Sequence, residues 1–161
     1  MEKKWSKVAE GSYSFLVDGA EVGKMDIALG SLRQKAQADM DGKIFRFKRN
    51  GFWKTILEIT DKNDLHMAKV YPEKWYSNTS VLEYKGASYR LQLRNRNLAE
   101  YTLMRDGQDI LTYRLFLAKR KTEVRISDSG IEFDYFFDAL LWYLFAPIAV
   151  ENMSDSFILG L

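Results

Sequence analysis

Residues 134–150 read DYFFDALLWYLFAPIAV. The stretch is apolar on nearly every side of a helix, with Asp138 as an acid inside its first turns. A helix that is apolar all round is buried all round, in a protein core or in a bilayer. The unbroken apolar run, Ala139 to Val150, is well short of the roughly 20 residues that span a bilayer. Pro147 interrupts it and Glu151 closes it. The expectation is therefore a buried core helix over about 135–150 rather than a membrane anchor. Asp138 should lie near its start, where the macrodipole favours an anion, and Pro147 should kink or end it.

What precedes the helix is a long run of strand signals, each bounded by Gly, Asn or Asp. They cover Tyr13–Val17, Glu21–Ala28, Leu32–Met40, Lys43–Arg49, Trp53–Thr60 and Leu65–Tyr71. They continue over Ser80–Tyr84, Ala87–Arg94, Leu98–Arg105, Ile110–Leu117, Glu123–Ser127 and Ile131–Asp134. Asp18-Gly19, Asp41-Gly42, Asn50-Gly51 and Asp106-Gly107 are hairpin turns, because these residue types tolerate positive φ. Phe45 and Phe47 alternate with Arg46 and Lys48, and Tyr89, Leu91 and Leu93 with Arg90, Gln92 and Arg94. Leu111, Tyr113, Leu115 and Leu117 likewise alternate with Thr112 and Arg114. Period-two patterning means one buried and one wet face, and with no helices between the strands the sheet is antiparallel. An internal echo supports a duplicated meander: DGKIFRF (41–47) matches KGASYRL (85–91), and DKNDL (61–65) matches DGQDI (106–110).

About twelve strands form a sheet too large to stay flat. Closing it removes its edges, but a barrel of that size encloses more space than strand side chains fill. A helix about 10–12 Å across fills such a lumen, and the segment around Leu140, Leu141, Trp142, Leu144 and Phe145 is apolar enough to do so. The expected fold is mainly β: one domain over 1–161, an antiparallel closed barrel enclosing a C-terminal helix. That element order, from about Tyr13 to Val150, resembles the tubby C-terminal-like superfamily, which includes the tubby domain, the plant LURP-one-related proteins and the phospholipid scramblases. The Lys/Arg motif of the tubby phosphoinositide site finds no residue-by-residue match, and the Cys-rich and Pro-rich segments of scramblases are absent. The resemblance implies a non-enzymatic binding or tethering role toward anionic phospholipid headgroups.

Composition narrows the function classes. The 161 residues carry a formal net charge of +2, too small an excess to argue for nucleic acid. There is no cysteine, so neither a disulfide nor a Cys-ligated metal is expected. The N-terminus MEKKWSKVAEGSYSF has no apolar stretch of the kind a secretory signal needs. A cytoplasmic monomer, peripheral to a membrane if it binds lipid, is the expectation. His66 is the single histidine and reads as an ordinary strand side chain. Asp61, Asp64, Asp106 and Asp109 recur in equivalent turns, where Asp serves its own backbone more readily than a metal. No metal, cofactor or nucleophile triad is expected.

The functional lead is basic. Arg46 and Lys48 lie on one strand, Arg90 and Arg94 on its repeat equivalent, and Arg114 and Arg125 near the last hairpin. If their apolar neighbours face inward, these six project outward and could cradle a headgroup phosphate. The blander expectation is a solvated face neutralised by Glu58, Glu83 and Glu123. Trp5, Phe52, Trp53, Trp75 and Tyr76 lie near turns and read as covers for the barrel ends. Two other classes stay open: a small-molecule-binding barrel or enzyme with an internal cavity, and a structural protein-interaction domain.

Overall fold

The computed structural model describes residues 1–28, 35–50, 56–74, 76–95, 98–119, 121–130 and 134–152. Twelve antiparallel strands form one sheet in which each pairs with its sequence neighbour. They are β1 (Lys3–Ala9), β2 (Ser12–Val17), β3 (Ala20–Ile27), β4 (Lys35–Met40), β5 (Lys43–Asn50) and β6 (Ile56–Thr60). Then follow β7 (His66–Pro72), β8 (Thr79–Tyr84), β9 (Ala87–Asn95), β10 (Ala99–Arg105), β11 (Gln108–Ala118) and β12 (Lys121–Asp128). Among the described residues one helix, α1, spans Tyr135–Asn152 and packs inside the curled sheet.

The meander puts every even-to-odd connection at one end of the barrel, and most of these are two-residue hairpins. At Asp41-Gly42, φ is 54° and 86°, positive at both central positions. That is the type I′ geometry, whose twist matches the flanking strands. Asp18-Gly19, Lys85-Gly86 and Asp106-Gly107 repeat it. The echo holds in three dimensions: Phe45 and Tyr89 both point into the core, and Arg46 and Arg90 point out beside them.

The helix is gripped from all round. Trp142 stacks on Trp5 of β1, with ring centroids 5.4 Å apart, and meets Tyr13 of β2 edge-on at 5.2 Å. Phe136 touches Tyr84 of β8 at 4.2 Å and Phe45 of β5 at 5.1 Å. Tyr143 stacks on Phe47 at 5.0 Å, and Phe137 meets Tyr89 of β9 at 5.1 Å. Some buried wall positions are small: Gly23 on β3, Ala36 and Ala38 on β4, and Ala68 on β7. A Cβ on Gly23 would lie 2.6 Å from Met40 Sδ and 2.9 Å from the Asp39 carbonyl oxygen, so only glycine fits there.

Several expectations need correction. The first strand is β1, not Tyr13–Val17. Its inward positions are Lys3, Trp5 and Lys7, so lysines break the apolar alternation that marks a strand. Trp5 is consequently buried rather than a cover near a turn. Of the segment expected as a last strand, Asp134 instead caps α1: its Oδ1 accepts the Phe136 N–H at 2.9 Å. Residues 131–133, 32–34 and 53–55 and the rim aromatics Phe52, Trp53 and Trp75 lie outside the described residues. Leu117 is 62% exposed near the β11–β12 hairpin tip instead of buried. Pro147 does not end α1, which continues to Asn152. No helix among the described residues is long and apolar enough to cross a membrane.

The barrel is nearly closed. The sheet order runs from β1 to β12 without a ladder joining these two, so two strand edges face each other across a seam.

Candidate functional site

Strand register decides which outward charges meet. Along most of the wall opposite charges face each other: Lys24 and Asp39, Lys48 and Glu58, Glu58 and Lys69, Lys69 and Glu83. Glu100 sits between Arg94 and Arg114. Among the described residues, two registers break the rule. Lys35 of β4 lies opposite Lys48 of β5, and Arg114 of β11 lies opposite Arg125 of β12. Like charges directly opposite each other destabilise a sheet.

The six basic candidates therefore divide. Arg46 is neutralised by Asp64 at 3.1 Å and donates to Gln37 at 3.3 Å. Arg90 pairs with Glu73 at 3.3 Å, and Arg94 with Asp109 at 3.5 Å. All three pairs are at the surface, where an ion pair contributes about 0–1 kcal/mol. Lys48, Arg114 and Arg125 have no carboxylate within ion-pair distance among the described residues, and neither has Lys35. Of the acids expected to quench the basic face, Glu58 accepts from Asn50 at 3.1 Å, Glu83 accepts from the Tyr71 hydroxyl at 2.9 Å, and Glu123 lies on β12 near Arg125.

Each like-charge pair lines an open groove. Lys35 and Lys48 stand at a groove of about 560 Å³ that Ala28 and Gln37 also line, with Arg46 at its side. Asp26 and Asp64 are its acids. Arg114 and Arg125 line a second groove of about 690 Å³, which runs along the seam between Met1–Lys4 and Glu123–Ser127. Their guanidinium carbons lie 5.5 and 3.5 Å from the Phe116 ring centre, one aromatic face serving two cations.

Behind the seam lies a buried polar cluster. Lys3 Nζ bonds Asp138 Oδ2 at 2.9 Å and also the carboxylate of Asp128. Tyr113 donates its hydroxyl to Asp138 Oδ1 at 2.7 Å, and Trp5 Nε1 donates to Tyr113 Oη at 2.9 Å. Burial raises the Asp138 carboxyl above the usual carboxylate range, against the pull of Lys3 and Tyr113. Burial alone would lower the Lys3 ammonium, but Asp138 and Asp128 outweigh it and hold it above its ordinary value. Burial, reinforced by Asp138, pushes the Tyr113 hydroxyl well up. The cluster joins β1, β11, β12 and α1 from the inside. The sequence reading missed it, although its signal was present as Asp138, an acid set among apolar residues near the start of the helix.

Of the four carboxylates expected in turns, Asp64 and Asp109 instead pair with Arg46 and Arg94, Asp109 from within β11, and Asp61 serves its own turn. Asp61 Oδ1 accepts the N–H groups of Asn63 at 2.8 Å and Leu65 at 3.0 Å. Among the described residues no group of three His, Cys, Asp or Glu side chains could hold a metal ion. His66 is exposed on β7.

Comparison with protein families, with curated proteins and with solved structures returns no match to this chain.

Proposed function

We propose that this barrel is a non-enzymatic binding or tethering domain whose outer wall takes an anionic phospholipid headgroup at Lys35 and Lys48. The observation that carries the reading is their register: two lysines directly opposite each other beside an open groove, neither in an ion pair among the described residues. A phosphate between them relieves the repulsion and accepts charge-assisted hydrogen bonds from both. The tubby-like resemblance points to the same ligand class. Occupation of the lumen by α1 favours a ligand outside the barrel over one carried within it.

Vesicle flotation tests the reading. The protein should float with phosphatidylserine-containing vesicles at low salt, stay behind with pure phosphatidylcholine, and lose binding as salt rises. Lys35→Glu with Lys48→Glu should abolish flotation without changing the melting temperature by more than a few degrees. Inorganic phosphate that competes only at concentrations far above the lipid phosphate identifies the membrane as the source of the anion. Equal recovery with acidic and neutral vesicles, or none with either, overturns the lipid assignment.

A further inference from the structure

We infer that the groove at Lys35 and Lys48 selects a phosphoserine headgroup among acidic phospholipids, with Asp26 holding the headgroup ammonium; this rests on the headgroup reading of the same groove.

The groove holds unmatched charge of both signs. Lys35 of β4 and Lys48 of β5 stand opposite each other, and neither is in an ion pair among the described residues. Asp26 of β3 lines the same groove. It is exposed, and its Oδ1 accepts a hydrogen bond from the Ser12 hydroxyl at 2.6 Å. No ammonium or guanidinium lies within ion-pair distance of it among the described residues. A carboxylate offers about four acceptor sites, so one neutral donor leaves most of its capacity open. The other charged pair in the groove is closed on itself, with Arg46 and Asp64 3.1 Å apart.

Register sets the spacing. Asp26 lies opposite Gln37, and Gln37 is two residues along β4 from Lys35. Side chains two apart on a strand share a face, at roughly 7 Å. Asp26, Lys35 and Lys48 therefore stand on one face of three adjacent strands, within reach of one small dipolar ligand.

The charges choose among headgroups. Glycerol and inositol esters carry phosphate and hydroxyls but no cation. Ethanolamine brings an ammonium, yet its single phosphate leaves one lysine unanswered. The serine ester carries a phosphate, a carboxylate and an ammonium. Its two anionic groups accept from Lys35 and Lys48, and its ammonium donates to Asp26, each contact a charge-assisted hydrogen bond. An acid beside an anion site also weakens binding of any ligand that brings negative charge alone, so Asp26 acts against the alternatives as well as for serine.

The test is flotation of the full chain with vesicles that contain either phosphatidylserine or phosphatidylglycerol at the same mole fraction, so that surface charge is equal. Binding to phosphatidylserine should be about fivefold tighter, as one added exposed ion pair gives. Asp26→Asn should bring the two lipids level, weakening binding to phosphatidylserine and leaving phosphatidylglycerol unchanged or stronger. The position is exposed, and an unchanged melting temperature confirms that the variant folds. Soluble glycerophosphoserine should displace the protein at lower concentration than glycerophosphoglycerol, and only far above the lipid concentration, which identifies the bilayer as the source of the headgroup. Equal flotation with both lipids, or equal displacement by both soluble esters, overturns the serine assignment and leaves the acidic-lipid reading standing. A preference that survives Asp26→Asn, or a variant that binds both lipids more tightly in the same ratio, overturns it too, since Asp26 then only dilutes the charge. No flotation with either lipid overturns both readings together.

Discussion

Lys3 places its Nζ 2.9 Å from Oδ2 of Asp138 in the first turn of α1. Their side chains are 5% and 1% exposed. The pair joins β1 to α1 beside the seam where β1 and β12 have no ladder between them. Taking charges out of water is costly, and removing one partner leaves the other buried and uncompensated. Asp138→Leu is expected to cost about 3–5 kcal/mol, read as a lower midpoint in urea unfolding. Lys3→Met with Asp138→Leu should recover much of that loss, which a double-mutant cycle measures. Additive losses would mean that the two side chains act separately.

The same pair sets a dependence on alkaline pH. The Lys3 ammonium is held above its ordinary value of 10.5. A raised ammonium contributes stability that is complete below the unfolded-state value and is lost as pH rises through the folded-state one. The stability difference between the native chain and Lys3→Met should therefore be flat across neutral pH and shrink only above about pH 10.5. Shrinkage beginning near pH 8 would contradict this. Asp128 behaves in the opposite sense. Its burial opposes ionisation, but Lys3 and the Gly130 N–H outweigh that and hold the carboxyl below 3.8. Its contribution is present above that value and is lost in stronger acid.

Gly23 is a steric requirement. Gly23→Val forces a branched side chain against Met40 Sδ and the Asp39 carbonyl. Overpacking of this kind costs about 1–3 kcal/mol. The melting temperature should fall clearly, and Met40→Ala in the same chain should return part of it by clearing the flexible obstacle but not the backbone one.

Leu140 is fully buried in the helix face. Leu140→Ala removes methylenes from a packed interior and should cost about 2–5 kcal/mol. Leu144 is only partly buried, so Leu144→Ala should cost distinctly less. Equal costs would mean that α1 does not sit in the barrel in the rotation described.

Much of this was legible in the residues. The helix announced itself through 134–150, and the alternation around Phe45 and Tyr89 correctly put Arg46, Lys48, Arg90 and Arg94 on the outer wall. Period two tells which face a side chain takes, and nothing more. Which charge stands opposite which depends on register, and register depends on hairpin length and on bulges such as those at Phe15/Leu16 and Leu103/Met104. The like-charge pairs Lys35–Lys48 and Arg114–Arg125 were therefore invisible, as was the neutralisation of Arg90 by Glu73, which lies in the β7–β8 connection. β1 was missed for a physical reason too. Its inward Lys3 reads as a surface residue until Asp128 and Asp138, more than a hundred positions away, supply its partners.

The most direct test is native-state hydrogen exchange of the backbone amides from Leu140 to Ala146. Enclosure of α1 by the twelve-stranded wall predicts that these amides exchange only through global unfolding, with the same free energy as amides in the middle of β5 and β9 and the same dependence on denaturant. Exchange of the helix at a markedly lower free energy, while the strands stay protected, would show that the barrel stands without it and would contradict the account.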